Sequence, residues 1–253
     1  VIRNFLAVLL CLAIGCSGTQ SQQLDEDELD ASDFHYQLAI GHWQANEGPI
    51  AIRELNTSLE INPNNEEALF LLGFIYQGRR AYAEAERLYR RALVVRPDWH
   101  EVLNNMGVVM LEQERWIEAE ELYRDLTNMP TYATPGHAYN NLGMALYEQR
   151  IYSDALANFD LALMFQPQHC LAHNNRGMVL EELGNDRAAA GAYEDAIEQC
   201  DDYQEPRYRL PLLLMRLGRD QERALELLTE CVELGTDSPI GLRCQEYVAP
   251  SDW

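Results

Sequence analysis

The sequence predicts an all-α fold: a superhelical solenoid of six helix-turn-helix repeats closed by a short C-terminal capping helix. Three observations predict it. A glycine recurs at Gly73, Gly107, Gly143 and Gly177, with gaps of 34, 36 and 34 residues. Behind each glycine, small and aromatic residues return in fixed order, as in Ala85-Tyr89-Ala92 and Ala155-Phe159-Ala162. Prolines such as Pro97 and Pro167 then close the units. A self-similar period of this length marks stacked supersecondary units, none of which can bury its apolar face alone.

The period and its marker residues resemble the tetratricopeptide repeat. In the second unit Leu69, Leu72, Gly73 and Tyr76 mark a first helix, and Ala85, Tyr89 and Ala92 a second. The fourth unit repeats this with Tyr139, Leu142, Gly143, Ala155, Phe159 and Ala162, and the fifth with Gly177, Ala189, Tyr193 and Ala196. Weaker copies flank them, carried by Leu38, Ala39, Ala51 and Pro63 upstream and by Tyr208, Ala224, Leu228 and Cys231 downstream. The units run over about 32–65, 66–99, 100–135, 136–169, 170–204 and 205–238, and the cap over 239–253. Small residues at the glycine and alanine positions let paired helices approach closely, and large ones fill the gaps between pairs.

The first residues follow a different rule. Arg3 precedes an apolar run from Phe5 to Ile14, too short for a membrane-spanning helix of about 20 residues but suited to a secretory signal. Ala13-Ile14-Gly15-Cys16 looks like a bacterial lipobox, although Ala13 stands where leucine is more usual. Residues 1–15 then form a lipoprotein signal peptide, and Cys16 is the lipid attachment site; the alternative is an ordinary cleaved signal with Cys16 incidental. Three acyl chains would give a stable anchor, and Ser17 after the cysteine favours the outer membrane. Residues 16–31, rich in Gln, Asp and Glu, read as a flexible acidic tether.

The formal net charge is −22, and all 19 basic residues are arginine. That balance argues against nucleic acid and anionic lipid as direct partners, leaving the membrane to the lipid anchor alone. It suits either a basic or apolar partner or simple solubility. Four cysteines remain beyond Cys16: Cys170, Cys200, Cys231 and Cys244. An even number fits an oxidising compartment. Repeat geometry favours Cys170–Cys200, at neighbouring ends of one antiparallel pair, and Cys231–Cys244, between the last repeat helix and the cap. Cys200–Cys231, on one solenoid edge, is the rival, and four buried thiols are the further alternative.

No catalytic constellation, metal site or cofactor motif is present. The six histidines are scattered, and neither a Gly-x-Ser-x-Gly elbow nor a phosphate-cradling loop occurs. Function must then lie in a binding surface. The first helices of such repeats line a concave face. Tyr36, Ile40, Trp43, Phe70, Phe74, Val108 and Leu111 fall on inward positions, making the N-terminal groove aromatic and apolar. Such a groove invites an amphipathic helix or an apolar strand; rings packed on one another, or the tether folded back, are the competing readings. Asn104, Asn140 and Asn174 also fall on an inward position, each followed by a second asparagine. A ladder of amides could read a peptide backbone, or it could bond within the repeat fold.

Lipobox, acidic tether, six repeats and cap together resemble the PilF/PilW/Tgl pilotin family, and Tgl in particular by length and repeat count. The resemblance implies a non-enzymatic outer-membrane lipoprotein facing the periplasm, monomeric when free. Its partner would be the secretin of the type IV pilus machine, whose membrane localisation and multimer assembly it promotes. Cys16 would carry the lipid and the groove of repeats one to three the secretin. The rival readings are an adaptor for periplasmic cell-wall hydrolases or proteases and a subunit of an outer-membrane protein insertion complex.

Overall fold

A computed structural model describes residues 24–132 and 135–248. The signal segment, Cys16 and the tip of the cap lie outside these residues. Thirteen α-helices form among those described. They are α1 (Glu26–Gln44), α2 (Gly48–Ile61), α3 (Glu66–Gly78), α4 (Tyr82–Val95), α5 (His100–Glu112), α6 (Trp116–Thr127) and α7 (Gly136–Glu148). They continue with α8 (Tyr152–Phe165), α9 (Cys170–Glu182), α10 (Asp186–Gln199), α11 (Gln204–Arg216), α12 (Gln221–Glu233) and α13 (Pro239–Val248). Each odd-numbered helix from α1 to α11 packs on the helix that follows it, the pair then stacks on the next, and α13 caps α11 and α12.

The glycine position works through one contact. A Cβ added at Gly73, Gly107, Gly143 or Gly177 would lie 2.7, 2.5, 2.6 or 2.5 Å from the ring of Tyr89, Tyr123, Phe159 or Tyr193. All four rings are fully buried. At the same two positions repeat one has Ala39 and Leu55 and repeat six Pro211 and Leu227, a larger residue on the first helix and a smaller one on the second, all four buried.

The turn inside each repeat is also repeated. Asn46, Arg80, Glu114, Arg150, Gly184 and Gly218 all take left-handed backbone angles, with φ between 59° and 72°. The next N–H reaches back to the last turn of the first helix, as from Ala81 to the Tyr76 carbonyl at 2.9 Å and from Ile151 to the Leu146 carbonyl at 2.9 Å. This 6→1 bond is the Schellman stop, and it sets where each hairpin reverses.

Part of the segment expected as a tether over 16–31 is helical. Asp25 and Glu28 form a capping box, and α1 begins at Glu26, so residues 26–31 are helical. Their acids complement the positive end of the helix dipole. Repeat one is further held by a buried polar hub. The Asn65 amide donates to Ser32 Oγ at 3.0 Å and Ser58 Oγ at 3.3 Å, while its carbonyl accepts from the Ala68 N–H. The hub joins α1, α2 and α3.

The apolar core is continuous from α1 through the middle of α9. A separate cluster joins α9 to α12 around Tyr193, Leu210 and Leu227. A third, around Tyr208, Leu228, Cys231 and Cys244, seats the cap. Two disulfides tie this end: Cys170–Cys200 and Cys231–Cys244, with Cα separations of 6.1 and 6.2 Å. The rival Cys200–Cys231 pairing does not form.

Candidate partner-binding groove

The inward residues of the first three repeats do not all stay open. Phe70 packs: its ring centroid is 5.0 Å from that of Trp99 and 6.2 Å from that of Tyr89. Arg96 lies 4.0 Å over Trp99 and pairs with Glu66 and Glu67, neutralising acids at the groove edge. Tyr36, Ile40, Val108 and Leu111 are half-buried, while Phe74 is 44% and Trp43 37% exposed. Burial, then the charges of Glu67 and Asp33, raise the Tyr36 phenol above its ordinary pKa, so it stays protonated and a donor. The structure gathers Phe74 and Val108 with Gln77, Tyr82 and Glu112 around a concavity of about 240 Å³. Arg80 lines it too, and exposed apolar carbon flanked by a carboxylate and a guanidinium is suited to an apolar side chain with polar neighbours.

The asparagines face one another rather than an open channel. Asn140 and Asn174 are buried at 5% and 2% exposure. The Asn141 amide donates to Asn104 Oδ1 at 3.3 Å and to the Tyr123 hydroxyl at 3.1 Å. Asn140 donates to Asn141 Oδ1 at 3.2 Å, and Asn175 donates to Asn140 Oδ1 at 3.0 Å. Asn174 in turn donates to Asn175 Oδ1 at 3.4 Å. The ladder is therefore a stitch between α5, α7 and α9: the half-buried Asn104 is engaged through its Oδ1, Asn140 through both ends of its amide, and Asn174 through its NH2, while Asn174 Oδ1 is buried without a hydrogen-bond partner. Packing of successive first helices brings the pairs within reach, which no single repeat displays.

A larger cavity, about 850 Å³, lies where α7, α9 and α11 begin, and sequence reasoning missed it. His137, Gln166, Pro167, His169, Leu171 and Tyr203 line it beside Cys170 and Cys200. His137, Cys170 and Leu171 come from the first turns of α7 and α9, and the others from the loops between repeats. His169 Nδ1 accepts from the Ala172 N–H at 3.4 Å, so its Nε2–H donates to His137 Nδ1 at 3.0 Å. Burial, then His137, lower the His169 pKa to about 4, so His169 is neutral at pH 7. Among the described residues no three His, Cys, Asp or Glu side chains converge as metal ligands.

Stacked helix hairpins with a lined concave face define a class of protein whose chemistry is non-covalent capture of other chains. The model of the family described as Tetratricopeptide repeat matches residues 36–99, 74–136 and 140–205. The chain belongs to the tetratricopeptide repeat family. Among solved structures it is similar to PilW, described as a widely conserved type IV pilus biogenesis factor. The identity is 22%, the TM-score 0.74, and the match covers 84% of this chain and 97% of that one. It is similar also to Pseudomonas aeruginosa PilF, with 21% identity, a TM-score of 0.72 and coverage of 88% and 100%. YrrB, described as having an unusual peptide-binding site, matches at 18% identity and a TM-score of 0.52 over 76% of this chain and 97% of its own. At these identities the likeness is one of fold.

Proposed function

We propose that the chain takes part in type IV pilus biogenesis as a pilotin, a non-enzymatic lipoprotein that captures secretin subunits and promotes their assembly at the outer membrane. The observation that carries the reading is the end-to-end match to PilW and PilF, which leaves almost none of either structure uncovered. The open apolar carbon of Phe74, Val108 and Trp43 supports it, because capture of a subunit needs a surface that water leaves readily. In this reading Cys16 is diacylated after removal of residues 1–15, holding the solenoid on the periplasmic side of the outer membrane. The groove of repeats one to three then binds an apolar segment of the secretin until oligomerisation competes it away.

The test is a pull-down from detergent-solubilised envelopes. Native protein is compared with a Trp43→Ala/Phe74→Ala variant whose helicity is verified by circular dichroism. Phe70 is left in place because it is part of the packing. Native protein should retain a secretin, and the variant should lose at least ten-fold of it, the effect expected from truncating exposed aromatic anchors. Capture of hydrolases, proteases or insertion-machine subunits without a secretin would replace this reading. Equal secretin capture by both proteins would keep the function and move the site.

A further inference from the structure

The two disulfides sit in opposite environments. Cys231 and Cys244 are fully buried, in the cluster that seats the cap. Cys170 and Cys200 are partly exposed and form part of the wall of the 850 Å³ cavity, with the half-exposed Leu171 beside them. Thiol–disulfide exchange needs in-line access to a sulfur, which burial denies and a cavity provides. We propose that Cys170–Cys200 is a thiol–disulfide exchange site, and that Cys200 is the sulfur an external thiol attacks.

The two sulfurs of this bridge are not equivalent. Cys170 is the first residue of α9, a 13-residue helix with no acid in its first turn, so the helix dipole there favours a thiolate. His137 and His169 line the cavity with it, and the one carboxylate in that lining, Asp202, belongs to the segment that follows Cys200. Cys200 is the C-cap of α10, at the negative end of that helix, and Asp201 and Asp202 follow it. Arg207 is the nearby cation, but its guanidinium is committed to the Cys200 and Tyr203 carbonyls, at 3.3 and 3.0 Å, and to Glu230. Exchange is fastest when the sulfur of lower pKa leaves. An incoming thiolate therefore attacks Cys200 Sγ. The new sulfur–sulfur bond forms as the Cys170–Cys200 bond breaks, and Cys170 departs with the electron pair as a thiolate. The external sulfur is oxidised and Cys170 reduced. Attack by Cys170 on the Cys200 adduct reverses the step and releases the external thiol. The cavity provides room for a small thiol or for the cysteine of an extended segment, and both carry the same chemistry.

The experiment treats the folded chain with cysteamine, without denaturant, and quenches with acid at intervals. Mass spectrometry then locates adducts, and alkylation counts free thiols. Cys170 and Cys200 should open at least ten-fold faster than Cys231 and Cys244, with the adduct on Cys200. Equal opening of both bridges, or no opening until denaturant is added, overturns the exchange site. An adduct mainly on Cys170 overturns the assignment of the attacked sulfur. Independently, the pH dependence of iodoacetamide alkylation should give a lower thiol pKa for Cys170 in Cys200→Ser than for Cys200 in Cys170→Ser, and the reverse order also overturns the assignment. A small thiol and a polypeptide cysteine separate by repeating the treatment with a cysteine-containing unstructured peptide.

Discussion

At Gly143 a hydrogen atom stands where any other residue would place a carbon 2.6 Å from the Phe159 ring. Gly143→Ala must push apart α7 and α8 or tilt the ring, and overpacking of this kind costs about 1–3 kcal/mol. The end repeats show the natural remedy, since the same two positions hold Ala39 with Leu55 and Pro211 with Leu227, all buried. Adding Phe159→Leu to Gly143→Ala should therefore recover part of the loss. Urea unfolding of the four proteins in the cycle measures it, and strictly additive losses would refute the pairing. His169 gives a second prediction. Its pKa falls to about 4 in the fold, against an ordinary value near 6.5. The unfolded chain thus takes up its proton first, and stability present above about pH 6.5 is lost as the pH drops toward 4. Glu86 and Glu118, held low by the Arg115 guanidinium, add a loss at the lower end of that range. His169→Gln can still accept from Ala172 and donate to His137, but it does not titrate. Between pH 7.5 and 4.5 its urea midpoint should fall less than that of the native protein, and an equal fall would remove His169 as the cause.

At the scale of the helix and its turn, six left-handed residues end the six first helices, but only Gly184 and Gly218 are glycine. Left-handed angles cost an L-residue about 1–2 kcal/mol, and glycine gives back about 0.4–1 kcal/mol through the unfolded chain. Arg150, exposed and at φ 63°, should therefore gain about 0.5–1 kcal/mol on replacement by glycine, read as a raised urea midpoint. A destabilised Arg150→Gly would mean that its side chain contributes more than the turn geometry does. These turns illustrate what the sequence makes legible. The period, the favoured cysteine pairings and the cap follow from residue type and spacing, whereas the rings of Tyr89, Tyr123, Phe159 and Tyr193 pack on the glycine of their own repeat and not, as spacing suggested, only between pairs. The turns are not legible in this way, because arginine, glutamate and asparagine stand where glycine would have announced them. The start of α1 was legible in Asp25 and Glu28, but the surrounding acids read as a tether. The Ser32–Ser58–Asn65 hub and the asparagine stitch depend on three helices meeting, which spacing alone does not convey. Phe70 shows the same limit at the groove: its position is inward, yet Trp99 of the next repeat takes its ring.

Across the whole molecule the core is segmented. One cluster runs from α1 into α9, while α9 to α13 rest on two smaller ones and two disulfides. Stability of a solenoid is approximately a sum of repeat and nearest-neighbour terms, so losses stay local when interfaces are weak. The bridges enclose sequence separations of 30 and 13 residues. On the chain-entropy account each contributes about 3–4 kcal/mol. That stabilisation falls on α9 to α13 because Cys170–Cys200 closes repeat five and Cys231–Cys244 ties α12 to α13. Full reduction under mild denaturant should therefore release this end first. Hydrogen exchange read peptide by peptide should show α11 to α13 losing about 100-fold in protection, since 1.4 kcal/mol is a factor of ten. Helices α3 to α6, inside the continuous core and far from either bridge, should keep theirs. The groove of Phe74 and Val108 lies in that retained part, so reduced protein should still bind whatever native protein binds there. A uniform loss of protection over all thirteen described helices would instead make the solenoid one cooperative unit, and the C-terminal bridges would then support the groove as directly as they support the cap.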